Sequence, residues 1–167
     1  IDNITEYKII KSKNVKSDGV YTLSFNLSEQ QCYASKKIIA AIENFEDLLL
    51  YAVTGAGKTE MIYEGISISR KMGFNVAVVS PRVDVVVEIS QRIKEVFVKE
   101  EIDVLHQSSK QQYNAHFVIS TIHQLYRFKN HFEVIFVDEV DAFPLPMDHQ
   151  LQNAIKQAAK PLSTLIY

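Results

Sequence analysis

The chain has 167 residues, of which 47% are hydrophobic and 23% are charged, the composition of one ordinary globular domain with its own core. No apolar run approaches the roughly 20 residues that a membrane-spanning helix needs, and the first residues do not form a secretory signal. The formal charge of −2 excludes a strongly basic nucleic-acid binder, so any contact with nucleic acid has to use a local patch.

The first 26 residues carry scattered lysines among isolated apolar positions. Val20, Leu23 and Phe25 favour a short strand or an extended arm. We expect residues 1–26 to form a peripheral lead-in to one domain that spans residues 27–167, because no repeat or low-complexity linker divides the rest of the chain. Since the chain lacks an initiating Met, we also expect it to be a piece of a longer protein.

Ser28 is placed to cap a helix that runs to about Glu43, because a serine at this position accepts a hydrogen bond from the first turn. The apolar positions of this stretch recur at helical spacing and predict one buried stripe. Cys32, on the same helix, is predicted to be a small core residue. As the single cysteine of the chain it excludes an internal disulfide, and it favours a reducing compartment such as the cytoplasm.

A strand is predicted over residues 47–53 and a helix from Thr59 to Met72, with Gly73 ending that helix. The loop between them reads Ala-Val-Thr-Gly-Ala-Gly-Lys-Thr over residues 52–59. A strand, a glycine-rich loop and a helix in this order are the setting that a phosphate-binding loop requires. The glycines let backbone N–H groups approach phosphate oxygens closely.

The side chains of this loop supply the rest of a nucleotide site. Lys58 would neutralise charge on the β- and γ-phosphates, and the hydroxyl of Thr59 would ligate Mg²⁺. A glycine-rich turn with an incidental Lys-Thr pair is the alternative, and the flanking strand and helix disfavour it. The predicted nucleotide-binding residues of the loop are Thr54, Gly55, Ala56, Gly57, Lys58 and Thr59.

The remainder of the chain alternates apolar strands with helices. The strands are continuous apolar runs, which is typical of a mostly parallel sheet covered by helices on both faces, so the predicted fold class is α/β. The predicted elements are a strand at 75–80, a helix at 83–99, a strand at 102–105, a polar loop at 106–114, a strand at 116–120, a short helix at 122–127, a strand at 133–138, a helix at 147–160 and a strand at 163–167.

An acidic motif, Asp138-Glu139-Val140-Asp141, ends the strand at 133–138, so its carboxylates emerge at the carboxyl end of that strand. Asp138 would hold Mg²⁺ through water, and Glu139 would polarise the attacking water as a general base. An acidic cluster that caps a strand is the alternative for this segment alone. Because the phosphate-binding loop accompanies it, we predict a site for ATP and Mg²⁺, with Lys58, Asp138 and Glu139 as its catalytic residues.

Two further strand ends are candidates for contacts with a nucleic-acid backbone. Arg82 and Thr121 each follow a predicted strand, where side chains and backbone N–H groups can bind phosphate. A helix-capping turn and an ordinary loop are the alternatives. Aromatic and basic residues alternate at 126–129 as they do in single-strand binders, but packing of the aromatic rings is the favoured interpretation. Four histidines lack the spacing of metal ligands and are predicted to lie at the surface: His106, His116, His131 and His149.

Together these motifs resemble those of the superfamily 2 helicases, and more closely those of the ComFA family, the late-competence DNA translocases of transformable Gram-positive bacteria. The closer match lies in residues 53–61, 81–86 and 138–144. The similarity extends from about Val20 to the end of the chain.

The residues from Leu27 to Gln31 are similar to the glutamine motif of helicases, in which a Gln amide reads the adenine edge with one donor and one acceptor. Gln31 has the better spacing for that role, and Gln30 is the alternative. A surface glutamine near a helix start is the other interpretation of this segment.

The resemblance implies a RecA-like P-loop NTPase lobe, the first of two in an ATP-driven motor that pulls single-stranded DNA into the cytoplasm, at the inner face of the cell membrane, during natural transformation. A second RecA-like lobe of the same parent chain would supply arginine fingers, so the isolated chain is expected to hydrolyse ATP barely. Competence-machinery proteins are further implied partners. Family members are similar in having a zinc module with four cysteines, which this chain cannot supply. The alternatives are a primosome-type restart helicase, an RNA helicase and a non-catalytic nucleotide-binding switch.

Overall fold

Helices and strands alternate along the chain in this computed structural model, which describes residues 14–23, 26–50, 57–106, 116–138 and 149–167. The helices of these ranges are α1 Glu29–Asn44, α2 Lys58–Met61, α3 Tyr63–Lys71, α4 Val83–Val96, a 3₁₀ helix at Ile122–Arg127 and α5 His149–Ala158. The strands are β1 Val76–Ser80, β2 Asp103–Leu105, β3 Phe117–Thr121, β4 Phe132–Val137 and β5 Ala159–Ile166.

The five strands form one parallel sheet in the order β2-β3-β1-β4-β5. The chain ahead of the phosphate-binding loop runs along the other edge of β5, where Leu48 N donates to Leu165 O over 2.9 Å and Leu50 N donates to Tyr167 O over 2.8 Å. This segment is the start of the strand predicted over 47–53, of which residues 51–53 lie outside the described residues. β5 therefore lies between β4 and the chain that enters the loop.

The sheet is covered on both faces, as the continuous apolar strands predict. Successive strand residues point to opposite faces, so Val78 and Phe136 pack with α1, α3 and α4, while Ala77 and Ile135 pack with the 3₁₀ helix and α5. All five residues of β1 are buried. The predicted α/β fold with helices on both faces is confirmed.

Helix α1 begins where the sequence predicts. Ser28 Oγ accepts from Gln31 N over 3.2 Å, and Gln31 Oε1 accepts from Ser28 N over 2.8 Å, so the two residues form a reciprocal capping box. The prediction that Cys32 is a core residue is wrong, since Cys32 is exposed. It lies in the first turn, ahead of Ser35, which is the first buried position of the helix.

The single helix predicted from Thr59 to Met72 is divided at Ile62. Its N–H donates to Thr59 O over 3.3 Å in a three-residue turn, and the regular ladder resumes when Ile66 N donates to Ile62 O over 2.9 Å. The end of α3 follows the prediction, because Gly73 has a φ of 82° and its N–H donates to the Arg70 carbonyl over 3.1 Å.

Strand β5 begins earlier than the sequence predicts. The helix expected to reach residue 160 ends at Ala158, and the strand expected from residue 163 begins at Ala159. The register moves from the pair Phe132–Ala159 to the pair Val134–Thr164, so residues 160–163 bulge away from the ladder. Pro161 lies in this exposed bulge, where its missing N–H removes no ladder hydrogen bond.

Residues 14–23 form neither a helix nor a strand, so within them the arm alternative holds rather than the short strand. They lie against α3 and the end of α4: Arg70 Nη2 donates to Val15 O over 2.9 Å, Ser67 Oγ donates to Gly19 O, and the Tyr21 ring packs on Phe97 at 5.3 Å between centroids. The domain boundary at residue 26 stays a prediction. In the part of the chain that the structure describes, no helix has both the length and the apolar character to cross a membrane.

Candidate functional site

The carboxyl ends of three neighbouring strands bring the predicted site residues to one edge of the sheet. Ser80 lies in register with Thr121, and Val79 lies in register with Val137. Asp138 N donates to Val79 O over 2.8 Å, which holds the half-buried Asp138 beside the end of β1. Ligands of parallel sheets bind at this edge, because loops and side chains converge there.

The chain that enters the phosphate-binding loop reaches the same edge of the sheet. Leu48 pairs with Ile166, and Ile166 pairs with Phe136, so the chain two residues further on, at position 50, is level with Asp138. Leu50, which enters the loop, and Asp138 therefore lie on opposite sides of β5 at the same height in the sheet. Thr54, Gly55 and Ala56 of the loop, and Glu139 of the acidic motif, lie outside the described residues.

The described end of the loop has the backbone that its sequence predicts. Gly57 has a φ of 69°, in the left-handed region that favours glycine, and α2 starts at the next residue. The Lys58 side chain is exposed and Thr59 is half-buried. A nucleoside triphosphate with Mg²⁺ requires a cation for its phosphates and oxygen ligands for the metal. The Lys58 ammonium group could supply the first, and the Thr59 hydroxyl and the Asp138 carboxylate could supply the second.

Gln31 joins the capping box of α1 to the phosphate-binding loop. Its Oε1 accepts from Ser28 N, while its Nε2 donates to Gly57 O over 3.3 Å. A Cβ atom at position 57 would collide with this amide. Gln31 therefore lies directly on the described end of the loop, whereas Gln30 is exposed, and the role of Gln31 in reading adenine stays a prediction.

Glu60 lies beside Gly57 and is not among the site residues that the sequence predicts. Its Oε2 atom is buried without a hydrogen-bond partner and lies 2.9 Å from the point that a Cβ of Gly57 would occupy. Glu60 also lines a cavity of about 480 Å³, whose wall includes Leu23, Tyr63 and Arg92. Burial, followed by the charge of Glu60, raises the pKa of Tyr63 to about 12, so Tyr63 is a neutral hydroxyl at ordinary pH. The only sequence signal for Glu60 is its place directly after Thr59.

The two predicted nucleic-acid contacts have different surroundings. Arg82 is exposed and forms a two-point ion pair with Asp84, with Nη2–Oδ2 at 2.7 Å and Nε–Oδ1 at 3.2 Å. A phosphate at this position would have to replace that exposed pair, whose strength is modest in water. Thr121 has an exposure of 6%, so its hydroxyl has little access to a backbone phosphate. The roles of both residues stay predictions.

The remaining candidates are the aromatic and basic segment at 126–129 and the histidines. Phe128 is buried in the core, which confirms the packing interpretation for that ring, whereas Tyr126 is exposed and donates its hydroxyl to Gln150 O. The prediction that the histidines lie at the surface is wrong for His131, which is 1% exposed and packs edge-on against Phe132 with ring centroids 4.7 Å apart. Within the described ranges, no group of three His, Cys, Asp or Glu side chains could hold a metal ion.

Comparison with known proteins finds a matching family model and named relatives that include two competence proteins. The ResIII family model, described as type III restriction enzyme, res subunit, matches residues 24–163. The competence protein ComFA of Bacillus subtilis (strain 168) is 43% identical over 142 residues, which are 84% of this chain and 31% of that protein. The competence protein ComFA of Streptococcus pneumoniae (strain ATCC BAA-255 / R6) is 38% identical over 126 residues, which are 75% of this chain and 29% of that protein. The resemblance to the ComFA family is confirmed, and the chain spans about a third of the length of these relatives.

Solved structures of low sequence identity share the fold. The SWI2/SNF2 ATPase core of Sulfolobus solfataricus in complex with double-stranded DNA has a TM-score of 0.69 at 16% identity, covering 95% of this chain and 34% of that chain. A hypothetical ATP-dependent RNA helicase from Sulfolobus tokodaii has a TM-score of 0.65 at 19% identity, covering 85% of this chain and 46% of that chain. The RecA-like architecture expected from the sequence is therefore confirmed.

Proposed function

The chain belongs to the ResIII family, and from that premise we propose that it is the ATP-binding lobe of a superfamily 2 motor that translocates along DNA. The observation that carries the proposal is the common edge of the sheet. There the chain entering the phosphate-binding loop is level with Asp138, on the far side of one strand. A loop for phosphates and a carboxylate for the metal, held on strands of one rigid sheet, form the basic equipment of an ATP-driven motor.

Each described residue has a distinct part in binding and hydrolysing the nucleotide. Lys58 neutralises charge on the phosphates, and its exposure leaves it able to reach them. Thr59 and Asp138 would hold Mg²⁺, which supplies positive charge where the phosphoryl oxygens become more negative. Glu139 takes a proton from the attacking water. Gln31 pairs with the adenine edge, and its contact with Gly57 O links recognition of the base to the loop.

The proposed substrate of the whole motor is single-stranded DNA, taken up during natural transformation. Two relatives above 35% identity are named competence proteins, which supports this choice over a primosome-type restart helicase. The motor would work in the cytoplasm, at the inner face of the membrane, together with other competence proteins. Because the chain spans about a third of those relatives, a second RecA-like lobe of the parent protein is part of the proposal.

An RNA helicase is the second candidate, since the fold is similar to that of a hypothetical ATP-dependent RNA helicase. The test is ATP turnover by the parent protein alone and with single-stranded DNA, duplex DNA or RNA. We expect single-stranded DNA to give the largest stimulation. A larger stimulation by RNA would overturn the choice of substrate, and no stimulation by any of them would leave a nucleotide-binding switch.

The substitution Glu139→Gln separates a motor from a switch. A motor needs a general base, so this variant should bind ATP and lose turnover by a factor of about 10² or more. A switch that only binds nucleotide would behave as the unaltered protein does. ATP binding and ATP turnover are measured on the same preparation of Glu139→Gln. Retained binding with lost turnover indicates a motor, and no change in either indicates a switch.

A further inference from the structure

Tyr63, the first residue of α3, has a buried ring and a hydroxyl group that faces a cavity. Only 2% of the residue is exposed, and its ring packs against those of Tyr21 and Phe97, with centroids 6.1 Å and 5.8 Å apart. The hydroxyl makes no hydrogen bond with the described residues, yet it is not fully enclosed by them. Since Tyr63 lines the cavity of about 480 Å³, its hydroxyl opens onto that cavity. A polar group of a buried side chain without a partner in its own chain indicates a partner from outside.

The cavity is formed by three segments that are separate in the sequence. The residues that line it are Thr22, Leu23, Glu60, Tyr63, Arg92, Glu95 and Val96. Thr22 N donates to Val96 O over 3.2 Å, so the arm at residues 14–23 is fixed to the last turn of α4 at this place. The volume lies within the range of roughly 300–1,000 Å³ that is typical of ligand sites, so one long side chain has room there.

The wall of the cavity carries more negative than positive charge. Glu60 and Glu95 line it, and neither carboxylate forms an ion pair within the ranges that the structure describes. Arg92 supplies positive charge to the wall, but it is already paired with Glu88 at 2.9 Å. Water can pair with a hydroxyl, but it does not neutralise two carboxylates. The complementary ligand is therefore a cation.

The negative charge acts at the Tyr63 hydroxyl itself. Burial, followed by the charge of Glu60, raises the pKa of Tyr63 to about 12, with a smaller contribution from Glu95 in the same direction. The two carboxylates are thus close enough to the hydroxyl to act on one ligand. Because a neutral hydroxyl accepts hydrogen bonds, a cation with several N–H donors can bind the hydroxyl and a carboxylate together.

The rest of the wall indicates the shape of this cation. Leu23 and Val96 are apolar and half-buried, which suits an aliphatic stem behind a charged head. A guanidinium group has five N–H donors in a planar fork and is more weakly hydrated than an ammonium group, so it suits a partly enclosed site with several acceptors. A free amino acid also carries a carboxylate, which Glu60 and Glu95 would repel, so an arginine within a protein fits better.

We propose that the cavity receives an arginine side chain that a partner protein presents. The guanidinium group donates to the Tyr63 hydroxyl and to the Glu95 carboxylate. The aliphatic stem lies against Leu23 and Val96. Glu60, which is half-buried, adds negative charge without a direct contact. None of these contacts involves the phosphate-binding loop, so the site goes beyond the proposed nucleotide site.

The test is a titration of the parent protein, labelled with ¹³C-tyrosine, with N-acetyl-arginine-N-methylamide. The Tyr63 signal is identified by its absence from the spectrum of Tyr63→Phe, which keeps the buried ring. We expect this signal to move, with a dissociation constant on the order of 1 mM for a single side chain. N-acetyl-citrulline-N-methylamide has the same shape without the charge and should bind about tenfold more weakly.

Three variants at exposed positions make the outcome specific. Glu95→Gln should weaken binding of the arginine probe about threefold, because a negative charge leaves the wall. Arg92→Gln should strengthen binding about twofold, because a positive charge leaves it. Glu43→Gln removes a carboxylate of α1 that does not line the cavity, so it is the control and should leave binding unchanged.

Four results would overturn the inference. They are no movement of the Tyr63 signal at about ten times the expected dissociation constant, equal binding of the arginine and citrulline probes, weaker binding in Arg92→Gln, and equal effects of Glu95→Gln and Glu43→Gln. The corresponding lysine probe should bind more weakly than the arginine probe, and equal affinities would overturn the assignment to a guanidinium group. Competitive displacement of the arginine probe by ATP would assign the cavity to the nucleotide and overturn the inference as well.

Discussion

At the amino end of the sheet, polar side chains form a network of contacts within the chain. Asn75, fully buried ahead of β1, donates to His131 O over 3.0 Å and lies 3.0 Å from His116 Nδ1. Glu133, at the start of β4, accepts from Asn14 over 2.7 Å and forms an ion pair with Lys160 at 2.9 Å. Asn14 and its partners thereby tie the segment ahead of α1 to β4 and β5.

At the carboxyl end, the side chains predicted to bind the nucleotide are more open to a ligand. Lys58 is exposed, and Thr59 and Asp138 are half-buried. The comparison teaches that the amino end of the sheet ties distant segments of the chain together, whereas the carboxyl end leaves a cation accessible to an anionic ligand.

The sharpest way to test this difference is Lys58→Ala. We expect ATP turnover by the parent protein to fall by a factor of about 10² or more, because a charge aimed at the phosphates is removed. The midpoint of thermal unfolding should stay within about 2 °C, since Lys58 is exposed. A large loss of thermal stability would show that the carboxyl end also stabilises the fold.

Glu133→Ala is the matching change at the amino end. We expect the free energy of unfolding to fall by about 2 kcal/mol, because Asn14 and the partly exposed Lys160 lose a buried partner. Urea unfolding measures this loss, and nucleotide affinity should be unchanged. Glu88→Ala is the control, since its ion pair with Arg92 is exposed and should be worth less than about 0.5 kcal/mol. Equal losses in the two variants would contradict the assignment of stability to the amino end.

Two glycines with positive φ allow the same substitution at both ends. Gly57→Ala and Gly73→Ala should each lower stability by about 1–2 kcal/mol, because an alanine is strained at a φ of 69° or 82°. Only Gly57→Ala should also weaken nucleotide binding, since its Cβ would collide with Gln31 Nε2. Binding and unfolding measured on both variants separate the two effects. Loss of nucleotide binding in Gly73→Ala would contradict the assignment of binding to the carboxyl end of the sheet alone.

Ser28→Ala should have the smallest effect. Loss of the capping box is expected to lower stability by about 1 kcal/mol. ATP affinity should stay unchanged, because the Gln31 side chain accepts from the backbone N–H of residue 28, which alanine retains. Cys32→Ser, at an exposed position of the same turn, is the control and should change neither quantity. A lowered ATP affinity in Ser28→Ala would show that the cap also positions the site.

The carboxyl end was more predictable from the sequence than the amino end. A phosphate-binding loop can be recognised from consecutive residues of the sequence, and the positive φ of Gly57 follows from local sterics. The amino-end network joins Asn14 to Glu133, which are 119 positions apart, so no local pattern predicts it. His131 shows the same limit, because its burial results from packing against Phe128 and Phe132 after the sheet has formed.

Two smaller features that the sequence does not predict also depend on contacts between distant parts of the chain. The early start of β5 depends on pairing with β4, which overrides the propensity of Pro161 to separate elements. The contact of Glu60 with Gly57 and with the cavity depends on where α2 places the Glu60 side chain. Glu60 stands beside a loop whose pattern was fully recognised, yet nothing in that pattern marks it.

The place of β5 between β4 and the chain entering the loop has a consequence for where the parts of a bound nucleotide would meet. Neighbouring strands are about 4.8 Å apart, so the loop strand and Asp138 are separated by roughly 10 Å. In the proposed site, a phosphate chain bound at the loop and Mg²⁺ bound at Asp138 would therefore meet over the carboxyl end of β5.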